Sequence, residues 1–135
     1  MESLIIQQTE FTPQVILDTK TNKFEISGES RPENTGKFYE PIIKWLEQYE
    51  SILFWQKNSL GQQTPTVFEF KFEYFNSTSA KYIMDILHVL NKYHNSGFNT
   101  QIKWYYDYMD TDMKESGEEL AMLVKVPFEL KAVTD

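Results

Sequence analysis

The amino-acid sequence predicts an α/β fold, a two-layer sandwich in which helices cover one face of a single mixed β-sheet. One observation is that apolar and charged residues alternate in several segments, and period two is typical of a strand with one buried face. In the clearest segment, 66–75, Phe68, Phe70, Phe72 and Tyr74 alternate with charged residues. The other observation is that amphipathic helical segments separate the strands. A sheet covered on both faces would instead contain continuous runs of Val, Ile and Leu.

Five segments carry the strand pattern, and the units 66–106 and 101–132 each run strand, helix, strand. Such units predict parallel, right-handed crossovers. Pro127 has no N–H to donate, so its strand is expected at an edge of the sheet. The predicted order is β, β, β, α, β, α, β, α, β, in which five of the six strands are assigned to segments of the sequence. The assigned strands are 14–18, 23–28, 66–75, 101–106 and 124–132, the last with Val124, Val126, Phe128 and Leu130 on its apolar side.

The first predicted helix runs from about 34 to 50 and follows a capping signal. Ser30 and Glu33 match the S-x-x-E capping box, and Pro32 suits a first-turn position. The segment that follows, 56–66, is predicted to be a loop. The apolar stripe of the helix consists of Phe38, Ile42, Trp45 and Tyr49, with Tyr39, Ile43 and Leu46 beside them.

The second predicted helix runs from about 78 to 94 and the third from about 113 to 123. In the third, Leu120 and Leu123 are expected to face inward. Gly117 weakens that helix by about 1 kcal/mol relative to Ala. The buried stripe of the second helix consists of Ile83, Ile86, Leu87 and Leu90.

Composition limits the classes of function. The chain has 135 residues, which predicts one domain over 1–135 that can bury a core without disulfides. Its net charge of −7 disfavours nucleic acids and anionic membranes, because both would be repelled. There is no cysteine, so disulfide and thiolate chemistry are excluded. The start MESLIIQQTE is not a signal peptide, and no apolar stretch approaches the roughly 20 residues of a membrane span. A soluble cytoplasmic protein is expected.

The run Asn-Ser-Thr-Ser at 76–79 lies between the strand 66–75 and the second helix. The first N–H groups of a helix have no partner within it, and Asn, Ser or Thr can cap them, contributing about 1 kcal/mol. The same N–H groups and the helix dipole favour an anion. A phosphate attached to one of these hydroxyls would therefore be tolerated, and Lys81 could pair with it.

The remaining polar residues carry no catalytic or metal-binding pattern. The acidic segment 107–119 does not match the spacing of an EF-hand, and its acids suit the first turn of a helix. His88 and His94 belong to no catalytic triad motif and have no metal-ligand partner in the sequence. The sequence also lacks a glycine-rich phosphate-binding loop. It therefore predicts no metal, no cofactor and no enzymatic activity.

Five sequence blocks carry a family resemblance: TPQVILD, FEISGESRPEN…FYEPIIKWLEQY, FEFKFEYFNSTSAKYIMDIL, IKWYYD…DTDMKESGEEL and VPFEL. Over roughly 9 to 131, the chain resembles the SiaC family, small bacterial regulatory phosphoproteins linked to biofilm formation and cyclic-di-GMP signalling. The resemblance implies a fold like the STAS domain of anti-sigma factor antagonists. It also implies partner switching. A cognate protein kinase adds phosphate at a helix start and a PP2C-type phosphatase removes it, while the unmodified form binds a diguanylate cyclase.

The family pattern at the modified site is similar to Asn-Thr-Ser-Ser, in which the Thr accepts the phosphate. Here the order is Asn76, Ser77, Thr78 and Ser79. The resemblance therefore implies Ser77 as the phosphoacceptor, with Thr78 as the second choice. Asn76, Thr78, Ser79 and Lys81 would form the surroundings of the phosphate.

A second polar segment follows the strand 23–28. The carboxyl ends of parallel neighbouring strands meet at one edge of a sheet. We therefore expect this segment and the Ser77 loop to form one docking surface. The simpler interpretation is a capped helix start with surface ion pairs of little energetic weight. The alternative function is an interaction scaffold that is never modified. The predicted docking residues are Glu29, Arg31, Glu33 and Asn34.

Overall fold

The computed structural model describes residues 1–61 and 64–134, and the described strands and helices follow the predicted order. Residues 62 and 63 of the predicted loop, and residue 135 of the predicted domain, lie outside the described residues. The elements are β1 (Leu4–Ile6), β2 (Gln14–Asp18), β3 (Lys23–Ser30), α1 (Thr35–Trp55), β4 (Thr66–Phe75), α2 (Ser77–Asn95), β5 (Thr100–Asp107), α3 (Thr111–Ala121) and β6 (Phe128–Val133).

All six of these strands form one mixed sheet with the spatial order β1-β2-β3-β4-β5-β6. The pairs β1–β2 and β2–β3 are antiparallel, whereas β3–β4, β4–β5 and β5–β6 are parallel. Each parallel pair is joined by one helix, because parallel neighbours need a long crossover connection. The predicted mixed sheet and parallel units are confirmed, and β6 lies at an edge.

The helices cover one face of the sheet, where the core lies, and the other face is polar, as predicted. On the polar face, Lys71 Nζ lies 2.7 Å from Glu25 Oε1, and the Tyr105 hydroxyl donates to Glu69 Oε2 at 2.7 Å. These two contacts pair polar groups of that face across neighbouring strands. The fully buried core includes Val15, Leu17, Phe24, Ile26, Phe68, Phe70, Ile102 and Trp104 from the strands and Tyr39, Ile42, Leu46, Ile83, Ile86, Leu87 and Leu90 from the helices.

A β-bulge in β4 reverses the side on which Tyr74 lies. The pairing of β3 with β4 skips Glu73, just after Gly28 of β3. One extra residue shifts the alternation of side chains by one position. Tyr74 is therefore 49% exposed, whereas Phe75 packs against Trp104 with the ring centroids 6.1 Å apart. The prediction that Tyr74 belongs to the buried row is wrong.

Helix α1 begins at Thr35, close to the predicted start, but its cap differs and it ends later than predicted. Its N-cap is Asn34, and Ser30 is a buried residue of β3, so the capping-box interpretation is wrong. Pro32 and Glu33 precede the helix instead of forming its first turn. At the other end, Gln56–Leu60 continue the helix as a π-helical turn. This part of the predicted loop is therefore helical.

Helix α3 buries different residues from those predicted. Leu123 lies beyond the helix and is 64% exposed, so its predicted inward position is wrong, whereas Leu120 is partly buried and packs against the core as predicted. Met113 and Gly117 are the residues that α3 buries. A Cβ atom at Gly117 would lie 2.5 Å from Cδ1 of Trp104. The glycine is thus required by the packing of α3 on the sheet.

The last strand is shorter than predicted, because Val124 and Val126 precede it. Val126 is buried, and its N–H donates to Asn91 Oδ1 at 3.0 Å instead of joining the sheet. Pro127 also precedes the strand, and its carbonyl accepts a hydrogen bond from the Ile102 N–H at 2.9 Å. The edge position of β6 is correct, although Pro127 itself is not part of it.

Candidate functional site

The carboxyl ends of β3 and β4 lie side by side, and each strand leads into a helix. The Asn76 N–H donates to the Ser30 carbonyl at 3.0 Å and joins the two chain segments at this point. The Thr35 and Thr78 hydroxyl oxygens, one from each helix start, are 3.1 Å apart. The predicted juxtaposition of the two loops at one sheet edge is therefore confirmed.

Both helices begin with an asparagine cap. Asn34 Oδ1 accepts from the Lys37 N–H at 3.1 Å, and Asn76 Oδ1 accepts from the Ser79 N–H at 2.9 Å. Asparagine is among the best capping residues because its side-chain oxygen satisfies an otherwise unpaired helix N–H. Since Asn76 provides the cap of α2, the three hydroxyls that follow it are available for other contacts.

Those three hydroxyls lie in different environments. Ser77, the first residue of α2, is exposed, and its hydroxyl hydrogen-bonds to none of the described residues. Thr78 is also exposed, but its hydroxyl donates to Asn76 Oδ1 at 3.0 Å and contacts the Thr35 hydroxyl. Ser79 is fully buried. Among the three residues, Ser77 thus combines exposure with an uncommitted hydroxyl.

Ser79 belongs to a buried hydroxyl cluster that sequence analysis missed. Its hydroxyl donates to the Ser30 carbonyl at 3.1 Å and accepts from the Ser30 hydroxyl at 2.9 Å. The Ser30 hydroxyl also bonds to the Tyr39 hydroxyl. Burial raises the pKa of Tyr39 to about 12, and hydrogen bonding with Ser30 and Ser79 opposes that rise. The cluster connects β3, α1 and α2 directly beneath the exposed Ser77.

Lys81 lies one turn along α2 and already has two partners. Its Nζ lies 2.9 Å from Asp85 Oδ2 and 4.4 Å from the ring centroid of Tyr82. The hydrogen bond that Lys81 donates to Asp85 raises the pKa of Lys81. Its predicted role as the phosphate partner therefore requires a change in its present ion pair.

The predicted docking residues lie beside the Ser77 loop. Arg31 Nε lies 2.9 Å from Glu29 Oε2, and its guanidinium lies 4.8 Å from the ring centroid of Phe11. Glu33 and Asn34 are exposed. Phe11 was not a candidate, because it lies outside any periodic segment, yet it is 48% exposed next to Arg31.

The acidic segment forms a helix cap and a turn contact. Asp110 Oδ1 accepts from the Met113 N–H at 3.0 Å as the cap of α3, and Asp107 Oδ1 accepts from the Met109 N–H at 2.9 Å. Within residues 1–61 and 64–134, no group of three or more His, Asp or Glu side chains is placed to hold a metal ion. The same ranges contain no helix long and apolar enough to cross a lipid bilayer.

A profile of the SiaC family of regulatory phosphoproteins matches residues 6–133. The chain belongs to the SiaC family. Its resemblance to that family, inferred from the five sequence blocks, is therefore confirmed. An uncharacterized protein of Pseudomonas aeruginosa strain UCBPP-PA14 is 28% identical over 132 residues, which is 98% of each protein.

Solved structures of SiaC from Pseudomonas aeruginosa have the same fold. Apo-SiaC is 28% identical to this chain, with a TM-score of 0.83 over 98% of this chain and 100% of that one. SiaC has also been solved in complex with the diguanylate cyclase SiaD, which it activates. That SiaC chain matches with a TM-score of 0.84 and 28% identity over 96% of this chain and 99% of its own length. The family thus connects this fold with cyclic-di-GMP signalling.

Proposed function

We propose that this chain is a phosphorylation-controlled regulator of a diguanylate cyclase and that Ser77 is its phosphoacceptor. The proposal rests mainly on the exposed Ser77 hydroxyl, which is free of hydrogen bonds to the described residues at the first position of α2. Membership of a family of regulatory phosphoproteins supports it. So does the complex of a related SiaC with the cyclase that it activates.

Neighbouring hydroxyls are poorer acceptors for physical reasons. A kinase must reach the hydroxyl oxygen, and Ser79 is fully buried with its hydroxyl bonded to Ser30 of β3. Modification of Thr78 would break its contacts with Asn76 and Thr35. A phosphate on Ser77 replaces no hydrogen bond to a described residue and lies at the positive end of the α2 dipole.

The phosphate acts on partners through charge. It adds about −1.5 to −2 charge and three acceptor oxygens to the exposed sheet edge. Glu29, Arg31, Glu33 and Asn34 are the neighbouring docking residues in this proposal. A cyclase that binds the unmodified edge would then meet an altered electrostatic surface, while the fold beneath stays the same.

Three partners follow from this proposal. They are a cognate protein kinase, a PP2C-type phosphatase and a diguanylate cyclase. The chain acts with them as a regulator in the cytoplasm, where the cyclase finds its substrate GTP, and catalyses no reaction itself.

The test is phosphorylation with the cognate kinase and ATP, measured by intact mass and by peptide mapping. We expect the addition of one phosphate, which is lost in Ser77→Ala and retained in the matched variant Thr78→Val. Loss of the phosphate in Thr78→Val alone would assign the site to Thr78. If the active kinase adds no phosphate to the chain, the proposal is wrong and the unmodified scaffold is the better function.

A further inference from the structure

A second surface lies at the same sheet edge, one strand further from β3. The ladder between β4 and β5 ends at the pair Phe70–Trp104, although both strands continue beyond it. Strand β5 remains paired with β6 as far as Asp107–Val133. Because β4 and β5 separate while β5 and β6 do not, a cleft of about 990 Å³ opens at their carboxyl ends. We call it the β4–β5 cleft.

Apolar side chains line much of this cleft. Phe72, Tyr106, Met109 and Val133 contribute to its walls. Met109 is 74% exposed and Val133 is 45% exposed. Charged and hydrogen-bonded groups such as Glu25, Lys71 and Glu69 occupy the adjacent polar face of the sheet, so the exposed apolar surface here contrasts with its surroundings. Large exposed apolar side chains with a polar rim are typical of an interaction site.

The charge at the cleft is negative. The carboxylates of Glu73, Asp107 and Asp110 line it, and the one lysine among the described lining residues is Lys71. The Lys71 ammonium is neutralised by Glu25 at 2.7 Å. The cleft therefore attracts a cationic partner and repels nucleic acids and anionic lipid surfaces.

We propose that the β4–β5 cleft binds a segment of a partner protein that inserts a bulky apolar side chain and flanks it with Lys or Arg. The apolar walls accommodate the anchor, and the rim carboxylates pair with the flanking cations. An extended segment also suits the place where two strands leave their common ladder, because main-chain groups at such an edge can bind a peptide. This surface is separate from Ser77, and the proposal does not depend on phosphorylation.

The test uses three capped hexapeptides as probes, with the sequences KKFLKK, KKSSKK and EEFLEE, titrated into the full-length ¹⁵N-labelled chain. We expect KKFLKK to shift the amide resonances of residues 106–110 and 131–133 with a Kd of about 0.1–1 mM. Its binding weakens several-fold when salt is raised, because rim charges are screened. KKSSKK and EEFLEE should bind at least tenfold more weakly.

Variants locate the binding site. Met109→Lys and Val133→Lys should each weaken KKFLKK binding about tenfold, while the matched change Met122→Lys, at a residue that is 80% exposed and outside the cleft, leaves it unchanged. Ser77→Ala should also bind normally, which separates this test from that of the proposed function. Saturable binding of EEFLEE as tight as that of KKFLKK, or shifts confined to other residues, would overturn the proposal.

Discussion

The environments of the three hydroxyls after Asn76 predict that one variant loses stability but keeps the phosphate, whereas another keeps stability but loses the phosphate. In Ser79→Ala the chain loses two buried hydrogen bonds, one to the Ser30 carbonyl and one from the Ser30 hydroxyl. Each contributes about 1 kcal/mol net. The Ser30 carbonyl still accepts from the Asn76 N–H, and the Ser30 hydroxyl still bonds to the Tyr39 hydroxyl, so no polar atom of Ser30 is left unpaired. Alanine returns about 0.5 kcal/mol through its better helix propensity. The expected loss of unfolding free energy is about 1–2 kcal/mol.

The assay is urea denaturation followed by circular dichroism, with kinase labelling of the same variants. Ser79→Ala should lower the unfolding free energy by about 1–2 kcal/mol and still accept one phosphate. Ser77→Ala should change the unfolding free energy by less than about 0.5 kcal/mol, because its exposed hydroxyl has no hydrogen bond to the described residues, and should lose the phosphate. Equal stability of the two variants would refute the role assigned to the buried cluster.

Three further changes test other parts of the structure. Gly117→Ala should destabilise the fold by about 1–3 kcal/mol in urea denaturation, because the new Cβ would lie 2.5 Å from Trp104. This loss should exceed the gain from the better helix propensity of alanine. An increase in stability would contradict that packing. Asn76→Ala should cost about 1 kcal/mol through loss of the α2 cap, and Asn76→Ser should restore most of it. The folded state raises the pKa of Tyr39 from 10.0 to about 12. The neutral Tyr39 hydroxyl therefore contributes about 3 kcal/mol to the unfolding free energy, which is complete below pH 10 and is lost as the pH rises through 12. Tyr39→Phe should remove that part of the alkaline transition.

Much of the fold could be predicted because periodicity reports burial. The alternation in 66–75 and the helical stripe at Ile83 to Leu90 identified β4 and α2 nearly to the residue. The errors arose where tertiary contacts override local signals. Ser30 and Glu33 have capping-box spacing, but Ser30 is needed by the buried hydroxyl cluster. Gly117 has poor helix propensity, yet the position of Trp104 requires it.

The candidate site was only partly predictable for a similar reason. Parallel pairing of neighbouring strands follows from the strand-helix-strand pattern, so the meeting of the two loops could be expected. The different environments of Ser77, Thr78 and Ser79 could not be predicted, because they depend on which of the three hydroxyls faces β3 at the start of α2. Phe11 and the β4–β5 cleft were missed because loop packing and the separation of two strands leave no periodic signal.

The most direct test of the proposed switch is the affinity of a purified cognate cyclase for two forms of the chain, unmodified and phosphorylated at Ser77. Both affinities are measured side by side by calorimetry. We expect the added dianion to weaken binding at least tenfold, equivalent to about 1.4 kcal/mol, without lowering the melting temperature of the free chain. Equal affinities for the two forms would contradict the account, since the phosphate would then carry no signal to the cyclase.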